Sequence, residues 1–575
     1  MIYRTCWGIA LSIVGALASI DVASAKDQLA DEVFINGHIY AESGWQQAIA
    51  VSAGKIVAVG ANDKILALSN TVTRRIDLNG ATVLPGLGDM HVHPLWGGRD
   101  LKNCRFSTDS SPEQIVGAVE ACAQKMKPGQ WIEGGQWDAS AFKDKPPTKE
   151  LLDRVSPENP VMLTDLSLHS LWVNSKALAA AKITRDTKDP EGGIIEHDAQ
   201  GNPTGFLREG ATALVRNAIP KSSPADDLEA LKSALDLLLS HGVTMLTDAM
   251  VKEESLTAYD HLADAGALKQ HVRGCLAYGD NYGAGPDFER LLAARSSYSR
   301  PHYQSDCVKI FLDGVPTEAH TAAMLEPYQQ SDASLSHAPA HGMLLVQSAE
   351  LDPLLARLDK MGVTVKFHAA GDASVRAAMD AIAYARKSNG ANGPSHDIAH
   401  LNFVAKSDLA RAKSLDITLE FSPFLWFPSP VTDLVGKAVG SEIMKRIWPI
   451  QEGVETGALV IAGSDWPVVP SSNPWVAIET MVTRQAPGGQ SPGEALAPAE
   501  AITLKQAIDI FTINAARHLK LDSSLGSIAA GKDADVIVLD RDPFSIPVTD
   551  VHNVTVTHAY IDGKEVFSQP AAGKK

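Results

Sequence analysis

Eight apolar runs typical of β-strands recur through the middle of the chain, with helical stretches between them. The runs are 82–91, 243–248, 272–277, 307–313, 363–368, 397–400, 417–422 and 460–465. Strands that alternate with helices form parallel sheets, and eight such units close into a barrel. The sequence therefore predicts an α/β fold built on a (β/α)8 TIM-type barrel, with its active site at the carboxyl ends of the strands.

Both ends of the chain contain short alternating strands joined by tight turns. Examples are 33–40 and 55–60 near the amino end, and 534–539 and 559–564 near the carboxyl end. Neither end has enough strands to bury one face of a sheet by itself. We therefore predict that the N- and C-terminal segments combine into one composite β-sandwich.

A long segment separates the first two barrel runs. Its length, about 150 residues, is far more than one crossover needs. It predicts a large insertion after barrel strand 1, residues 98–240, that roofs the active site. The predicted boundaries are a signal peptide at 1–25, the N-terminal segment of the sandwich at 26–83, the barrel at 84–519 and the C-terminal segment of the sandwich at 520–575.

The first 25 residues have the pattern of a secretory signal peptide. Arg4 precedes an apolar run over 7–20, and small residues at 23–25 form a cleavage site. The run is too short to span a bilayer, and no later window holds about 18 uninterrupted apolar residues. The chain is therefore predicted to be periplasmic or secreted, without stable membrane insertion after cleavage.

The cysteines and the net charge narrow the environment and the partners. Cys104 and Cys122 can form a disulfide in an oxidising compartment, whereas Cys275 and Cys307 lie in apolar runs and are predicted to be buried thiols. The net charge of -17, without a basic run, argues against nucleic acid and anionic membrane as partners. A small molecule is the expected partner, and a homo-oligomer is compatible with these features.

Histidines and a carboxylate stand at or near the ends of the barrel runs. His91 and His93 point to the same side of an extended strand. A pair of histidines at this spacing is by itself more often not a metal site. However, His368, His400 and Asp465 occupy corresponding positions in later runs. Imidazole and carboxylate ligands suit Zn²⁺ and related divalent ions, so the sequence predicts a catalytic metal site.

Lys309 lies in the fourth run, on the face predicted to point into the barrel. A charged ammonium beside a cation is repelled and desolvated there. From the residues alone, Lys309 is a pocket lysine that binds an anionic group of the substrate.

Taken together, the motifs of the chain resemble those of the amidohydrolase superfamily, in the branch called amidohydrolase family 3 or YtcJ-like. The motifs are LPGLGDMHVH at 84–93, NSKAL at 174–178, GNPTG at 201–205, VK at 308–309, HAAGD at 368–372, AGSD at 462–465, and GSI with GKDAD at 526–535. The resemblance implies a barrel with a composite sandwich and one or two divalent metal ions, with Zn²⁺ expected. It implies the ligands His91, His93, His368, His400 and Asp465, and it places Lys309 where many members carry an N-carboxylated lysine that bridges two metals.

The chain departs from the branch pattern in two places. The run 396–400 reads HDIAH where relatives tend to have an Arg-x-x-Ile-Glu-His type of run, which leaves the ligand but changes its neighbours. Phe424 to Trp426 stand where relatives often show a histidine, so one substrate contact differs.

The resemblance implies a hydrolase that cleaves an amide-type C–N bond, other than a peptide bond, by attack of metal-bound hydroxide. A metal ion lowers the pKa of bound water from about 15.7 to about 7. Asp465 is the predicted general base and acid. His169 is predicted either to stabilise the oxyanion or bind the substrate from the insertion, or to be a surface loop histidine. The alternatives are a lactonase or esterase on the same metal site, and a non-catalytic periplasmic binding protein.

Substrate-binding residues are expected at the open end of the barrel. Trp96, Trp137 and Arg484 are assigned this role, and Trp466, Trp475, Phe424 and Trp426 fall in the same region. These aromatic residues either line a pocket for an apolar or aromatic amide or pack the insertion onto the barrel. Asp313, Asp372 and Arg484 are partners of substrate or ligand charges, or members of structural ion pairs.

Overall fold

The computed structural model describes residues 29–107, 110–142, 146–165, 170–190, 193–279, 283–317, 320–329, 340–489 and 494–569. The predicted signal peptide and His169 lie outside these residues.

Eight parallel strands, each hydrogen-bonded to the next, form one sheet in the order of the chain. They are β1 (Leu87–Val92), β2 (Val243–Val251), β3 (His271–Ala277), β4 (Tyr303–Phe311), β5 (Thr364–Ala369), β6 (His396–His400), β7 (Ile417–Phe421) and β8 (Leu459–Ala462). Beyond the ends of the outer strands, the N–H of His93 donates to the carbonyl of Trp466 over 3.0 Å and the N–H of Asp465 to that of His91 over 2.6 Å. The predicted TIM-type barrel is confirmed.

The first predicted run does not form one strand. Thr82–Pro85 pairs antiparallel with Val536–Leu539 in the sandwich, and β1 begins only at Leu87. The break falls at Gly86, where a Cβ would lie 2.1 Å from Oγ1 of Thr244. Only glycine allows this close approach of the chain to β2, so the run divides between two sheets.

Within the described residues, helices connect the strands of the barrel and also occur in the sandwich and the insertion. The α-helices are Asn62–Leu66, Pro94–Asp100, Pro112–Ala123, Lys149–Asp153, Ser175–Ala180, Thr212–Arg216, Pro224–Ser240, Glu253–Asp264, Phe288–Ala294, Ser348–Lys360, Asp372–Asn389, Lys406–Leu409, Pro430–Val439, Ser441–Met444, Ile450–Glu455, Pro474–Thr483, Leu504–Asp509 and Ala515–His518. Shorter 3-10 turns occupy Ala139–Phe142, Gly285–Asp287, Arg295–Tyr298, Pro423–Leu425, Pro498–Glu500 and Val548–Asn553, and a π-helical turn occupies Ile510–Asn514.

The helix Pro224–Ser240 shows how the sequence sets these elements. The side chain of Ser223 accepts a hydrogen bond from the N–H of Asp226, and Pro224 stands in the first turn. Both features favour a helix start. Leu231, Leu235 and Leu238 recur at helical spacing and are buried in the barrel core.

The composite sandwich contains two sheets. One holds four strands in the order Lys55–Gly60, Ala48–Ser52, Glu32–Ile35 and Arg74–Asp77. The other holds six, in the order Lys564–Ser568, Val556–Ile561, Val536–Leu539, Thr82–Pro85, His38–Ala41 and Gly44–Gln46. Strands from both ends of the chain share this second sheet, which confirms the predicted combination of the two termini.

The insertion between β1 and β2 has a sheet and a core of its own. Its five strands run in the order Gly193–His197, Pro203–Glu209, Ser170–Val173, Val161–Asp165 and Ile132–Trp137. Trp137, Trp172 and Leu163 are among the buried residues of its core. The large insertion after the first barrel strand is therefore confirmed, while its role as a roof over the active site stays a prediction.

The described part of the chain contains two disulfides. Cys104 bonds Cys122 within the insertion, as the sequence allowed. Cys275 bonds Cys307, so the prediction that these two are free buried thiols is wrong. The two residues face each other in the register of β3 and β4, with Cα atoms 4.2 Å apart, which composition could not reveal. Among the described residues, no helix is long and apolar enough to cross a membrane.

Candidate metal centre

The structure brings together the six side chains predicted as metal ligands, at the carboxyl ends of the barrel strands. They are His91 in β1, His93 directly after it, Lys309 in β4, His368 in β5, His400 at the end of β6 and Asp465 beyond β8. Parallel strands of a barrel end at one face, so residues far apart in sequence meet there. All six side chains are buried or nearly so.

The closest group within the centre consists of His91, His93 and Asp465. Nε2 of His93 lies 3.1 Å and Nε2 of His91 3.6 Å from Oδ1 of Asp465. One ligand atom from each residue lies within 4.8 Å of the other two. Two imidazoles and a carboxylate at this spacing form a donor set that suits a divalent ion such as zinc.

The other three side chains adjoin this group. Nζ of Lys309 lies 3.2 Å from Nε2 of His91. The ring centroids of His91 and His400 are 4.8 Å apart, and those of His368 and His400 are 4.3 Å apart. The six side chains therefore form one continuous cluster.

The backbone at the strand ends is unusual. His400 has φ 76°, Leu401 has φ 45° and Asp465 has φ 59°, all in the left-handed region that non-glycine residues rarely adopt. Next to Asp465, a Cβ on Gly463 would lie 2.2 Å from the backbone nitrogen of His91. Strain of this kind persists where the surroundings fix it, and it concentrates at functional sites.

A buried carboxylate that the sequence analysis missed holds His91 in place. Glu420 in β7 is fully buried, and its two oxygens contact Nδ1 of His91 and Nζ of Lys366. Lys366 in β5 also lies 2.6 Å from Asp397 in β6. Ligating histidines commonly bond a carboxylate through their second nitrogen, which orients the ring. The signal was present, because Lys366 and Glu420 are charged residues inside predicted barrel strands.

Burial and neighbouring charges set the protonation of the centre. Burial, assisted by Lys309, lowers the pKa of His91 well below its usual value, and burial beside His368 does the same for His400. These imidazoles are therefore neutral and keep a lone pair for a metal. Burial also lowers the pKa of Lys309 to about 7. Burial alone would raise the pKa of Asp465, but the hydrogen bond with His93 and the charges nearby lower it, so Asp465 is a carboxylate.

The side chains of the cluster are suited to binding a divalent metal ion. Nδ1 of His93 is buried and has no hydrogen-bond partner within the described part of the chain. The imidazoles of His91 and His400 are neutral and Asp465 is ionised, which are the protonation states that a metal requires.

The residues predicted to bind substrate lie in different places. Trp96 is 44% exposed, and its ring lies 5.8 Å from that of His93, beside the cluster. Trp137 is fully buried in the insertion, where its indole N–H donates to the carbonyl of Leu163. Arg484 is also fully buried and donates to the carbonyls of Leu496 and Ile447. The structure does not bring Trp137 or Arg484 to the cluster.

Most of the other aromatic residues singled out from the sequence are buried. Trp466 and Trp475 are buried, as are Phe424 and Trp426. Trp426 stacks on Trp448 and lies beneath the guanidinium of Arg484. Of the two roles predicted for these residues, the structure favours packing in the core and not the lining of a substrate pocket.

Asp313 and His396 support the strands that carry His368 and His400. Asp313 accepts hydrogen bonds from the N–H groups of Ala370 and Gly371. His396, where the chain departs from the pattern of the branch, has its two ring nitrogens 3.0 Å from the N–H nitrogen of Val365 and 3.1 Å from Oδ1 of Asp359. Asp372 accepts from the N–H of Leu325. The side chains of these residues are therefore hydrogen-bonded within the fold.

Comparisons with known proteins agree with this architecture. The model of the amidohydrolase family matches residues 74–567. The chain is 28% identical over 557 residues to N-substituted formamide deformylase of Arthrobacter pascens, which covers 93% of this chain and 98% of that one. It is 29% identical over 554 residues to Protein LONG AFTER FAR-RED 3 of Arabidopsis thaliana, which covers 94% and 92%.

A solved structure has a similar fold. It is described as an uncharacterized metal-dependent hydrolase from Pyrococcus furiosus and is similar at a TM-score of 0.71 and 25% identity, over 89% of this chain and all of that one. The family match over most of the chain and the buried donor cluster agree with each other: this chain belongs to the amidohydrolase family and is a metal-dependent hydrolase.

Proposed function

We propose that the protein hydrolyses the amide-type C–N bond of a small molecule, with Asp465 as the group that moves the proton. The observation that carries this proposal is the position of Asp465, an ionised carboxylate 3.1 Å from His93 in a cluster where burial keeps His91 and His400 neutral. His91, His93, His368, His400 and Asp465 would hold a divalent ion, which would act as a Lewis acid and lower the pKa of bound water. The donor types favour zinc.

Asp465 has two tasks in this proposal. As a carboxylate it accepts the proton of the attacking water, and as the resulting acid it returns that proton to the leaving amine. His91 is held for its role by Glu420, which fixes the ring through Nδ1 and leaves Nε2 toward the cluster. His169, the predicted oxyanion-stabilising group, lies outside the described residues.

Lys309 is proposed to carry a carboxylate group in the active protein. With its pKa at about 7, a large share of its amine is neutral at physiological pH. A neutral amine attacks CO₂, forming a C–N bond and releasing one proton, and the product is a carbamate anion. An unmodified ammonium 3.2 Å from His91 would repel a metal, whereas a carbamate would bind one or bridge two.

The proposed substrate carries an apolar or aromatic group. A cavity of about 540 Å³ lies beyond the carboxyl ends of β3 and β4, and its lining includes Tyr278, Phe288, Phe311 and Val346. None of the six cluster residues lines this cavity, but the ring of its lining residue Phe311 is 5.5 Å from that of His368. Glu350 also lines it and disfavours anionic substrates, whereas the charge of Glu289, a further lining residue, is paired with that of Arg357. The similarity to an N-substituted formamide deformylase supports a small N-substituted amide.

The test is a substrate panel assayed with protein loaded with zinc or manganese. N-benzylformamide, an N-acylated aromatic amine and a small charged amide are compared with a phenyl ester and a lactone of similar size. We expect the highest kcat/KM for an aromatic amide. A higher kcat/KM for the lactone or ester would replace amide hydrolysis by the lactonase or esterase alternative. No turnover of any member by metal-loaded protein would contradict the proposal.

We also propose that the mature protein is periplasmic or secreted and that its partner is a small molecule. The two disulfides support this location, because such bonds persist in oxidising compartments. Fractionation of cells that express the full chain, with a version lacking residues 1–25 as the control, tests the location. Recovery of both versions in the cytosol would contradict it. Size-exclusion chromatography with light scattering tests for a homo-oligomer.

A further inference from the structure

A second group of metal-ligating side chains lies at the opposite end of the barrel from the catalytic cluster. It consists of His271, His302 and Asp562, and one ligand atom from each lies within 4.8 Å of the other two. His271 begins β3, and His302 directly precedes β4. Seven residues of extended chain separate His302 from Lys309, which corresponds to roughly 23 Å. The two groups are therefore separate sites.

Each histidine is held in the way that ligating histidines are held. Nδ1 of His302 lies 2.7 Å from the carbonyl oxygen of Lys269, and its Nε2 is 3.3 Å from Oδ2 of Asp562. Nε2 of His271 lies 3.0 Å from Oδ2 of Asp535. A histidine that donates one N–H to a carbonyl or carboxylate has its ring oriented and its other nitrogen more basic toward a metal.

A further carboxylate, that of Asp535, contacts two members of this group. The second oxygen of Asp535 accepts a hydrogen bond of 2.9 Å from the N–H of Asp562. Asp535 thus positions both His271 and the backbone that carries Asp562. The two imidazoles and the carboxylate of Asp562 offer the N and O donors that zinc and related ions take.

A cavity gives access to this group. It has a volume of about 130 Å³, and its lining includes His271, His302, Arg273 and Arg300. The two arginines are engaged elsewhere, since Arg273 pairs with Asp306 over 2.9 Å and Arg300 with Asp260 over 2.6 Å. The cavity is large enough to hold water molecules that complete a coordination shell.

We propose that His271, His302 and Asp562 bind a structural divalent metal ion, with Asp535 and the carbonyl of Lys269 orienting the ligands and water from the cavity filling the remaining positions. Asp562 stands between the strands Val556–Ile561 and Lys564–Ser568 of the sandwich, while both histidines belong to the barrel. The ion therefore ties the C-terminal hairpin to the base of the barrel. It stabilises the fold by binding only the folded chain.

The test compares full-length protein with the variants His302→Asn and Asp562→Asn. Asparagine suits both positions because His302 has φ 66° and Asp562 has φ 50°, and asparagine tolerates the left-handed region. The control is His38→Asn, which removes another histidine–aspartate pair of the sandwich, with Nδ1 of His38 3.5 Å from Asp542. Metal content is measured by elemental analysis after exposure to zinc and gel filtration.

We expect each test variant to hold one zinc equivalent less than the wild type and the control, while turnover of the best amide substrate stays unchanged. We also expect zinc added to chelator-treated protein to raise the Tm of wild type and control more than that of the variants. Equal zinc content and equal Tm shifts in all four proteins would overturn the proposal. The group would then consist of two ordinary pairs, His271 with Asp535 and His302 with Asp562. Because turnover reports the catalytic site and the Tm shift reports the second one, loss of turnover alone would not imitate the expected result.

Discussion

Nε2 of His93 lies 3.1 Å from Oδ1 of Asp465, although the two residues are 372 positions apart in the chain. The contact joins the first and last strands of the barrel at the catalytic face, and it helps to keep Asp465 ionised despite burial. Replacing Asp465 by Asn should therefore lower kcat by about 10²- to 10⁴-fold, the usual contribution of a positioned acid or base. Metal content by elemental analysis should stay within a twofold change, since the histidines remain. A variant with wild-type kcat would exclude Asp465 as the proton-transfer group.

Glu420→Gln should weaken metal binding without unfolding the barrel. The variant loses the carboxylate that orients His91 and leaves Lys366 with a single carboxylate partner, so metal affinity should fall about 10- to 100-fold. Competition with a chelator of known affinity measures this change. Glu479→Gln is the matched control, because Glu479 is also fully buried and lies 2.7 Å from Nδ1 of His552, outside the centre. Equal losses in both variants would indicate a general effect of buried charge.

Lys309→Met should separate the two roles considered for this lysine. If Lys309 carries a carbamate, metal-free protein reconstituted with zinc should gain activity on adding bicarbonate, and Lys309→Met should hold about one metal equivalent less than wild type. If Lys309 instead binds an anionic substrate group, metal content should stay constant and only KM for anionic substrates should rise. Elemental analysis and steady-state kinetics on the same preparations distinguish these outcomes.

Removal of the disulfide between Cys275 and Cys307 should destabilise the barrel itself. The bond joins neighbouring strands 32 residues apart in sequence, and loops of this size contribute about 3–4 kcal/mol to the free energy of unfolding. The double variant Cys275→Ser and Cys307→Ser should therefore show a clearly lower Tm. The pair Cys104→Ser and Cys122→Ser is the comparison, since it lies within the insertion. If treatment of wild type with a thiol-specific reagent labelled Cys104, Cys122, Cys275 and Cys307, both disulfides would be excluded.

Asp359→Asn should destabilise the fold in a pH-dependent manner. Asp359 is buried, contacts Arg386 and accepts from His396 and Asn389. Burial would raise its pKa, but these partners lower it below the usual value of 3.8. Since the folded-state pKa is depressed, the stabilisation is complete above the unfolded pKa and is lost as pH falls through the folded one. Breaking such a buried pair costs about 3–5 kcal/mol at pH 7.

The Tm difference between wild type and Asp359→Asn should therefore be large at pH 7 and shrink below about pH 4, the usual aspartate range. Thermal unfolding monitored by circular dichroism over this range measures it. Asp352→Asn, on the same helix, is the control, because Asp352 is only partly buried. A difference that does not change with pH would show that packing rather than charge sets the effect.

The barrel, the composite sandwich and the candidate ligands all follow from the amino-acid sequence. Eight apolar runs fix the number of strands, because a buried parallel strand needs apolar residues on both faces. His91, His93, His368, His400 and Asp465 could be chosen because each lies at or just beyond the end of a run, and parallel strands place their ends together. These inferences depend on the local pattern of apolar and polar residues, which can be seen in the sequence itself.

Contacts that periodicity does not encode are visible only in the folded chain. The disulfide between Cys275 and Cys307 depends on the register of two neighbouring strands, and a shift of one residue would have separated the sulfurs. The contact of Glu420 with His91 joins β7 to β1, and the burial of Arg484 and Trp137 depends on which helices and sheets pack over them. Such contacts arise from the three-dimensional closure of the barrel and its insertion, because the distance between two side chains is set by packing and not by their separation along the chain.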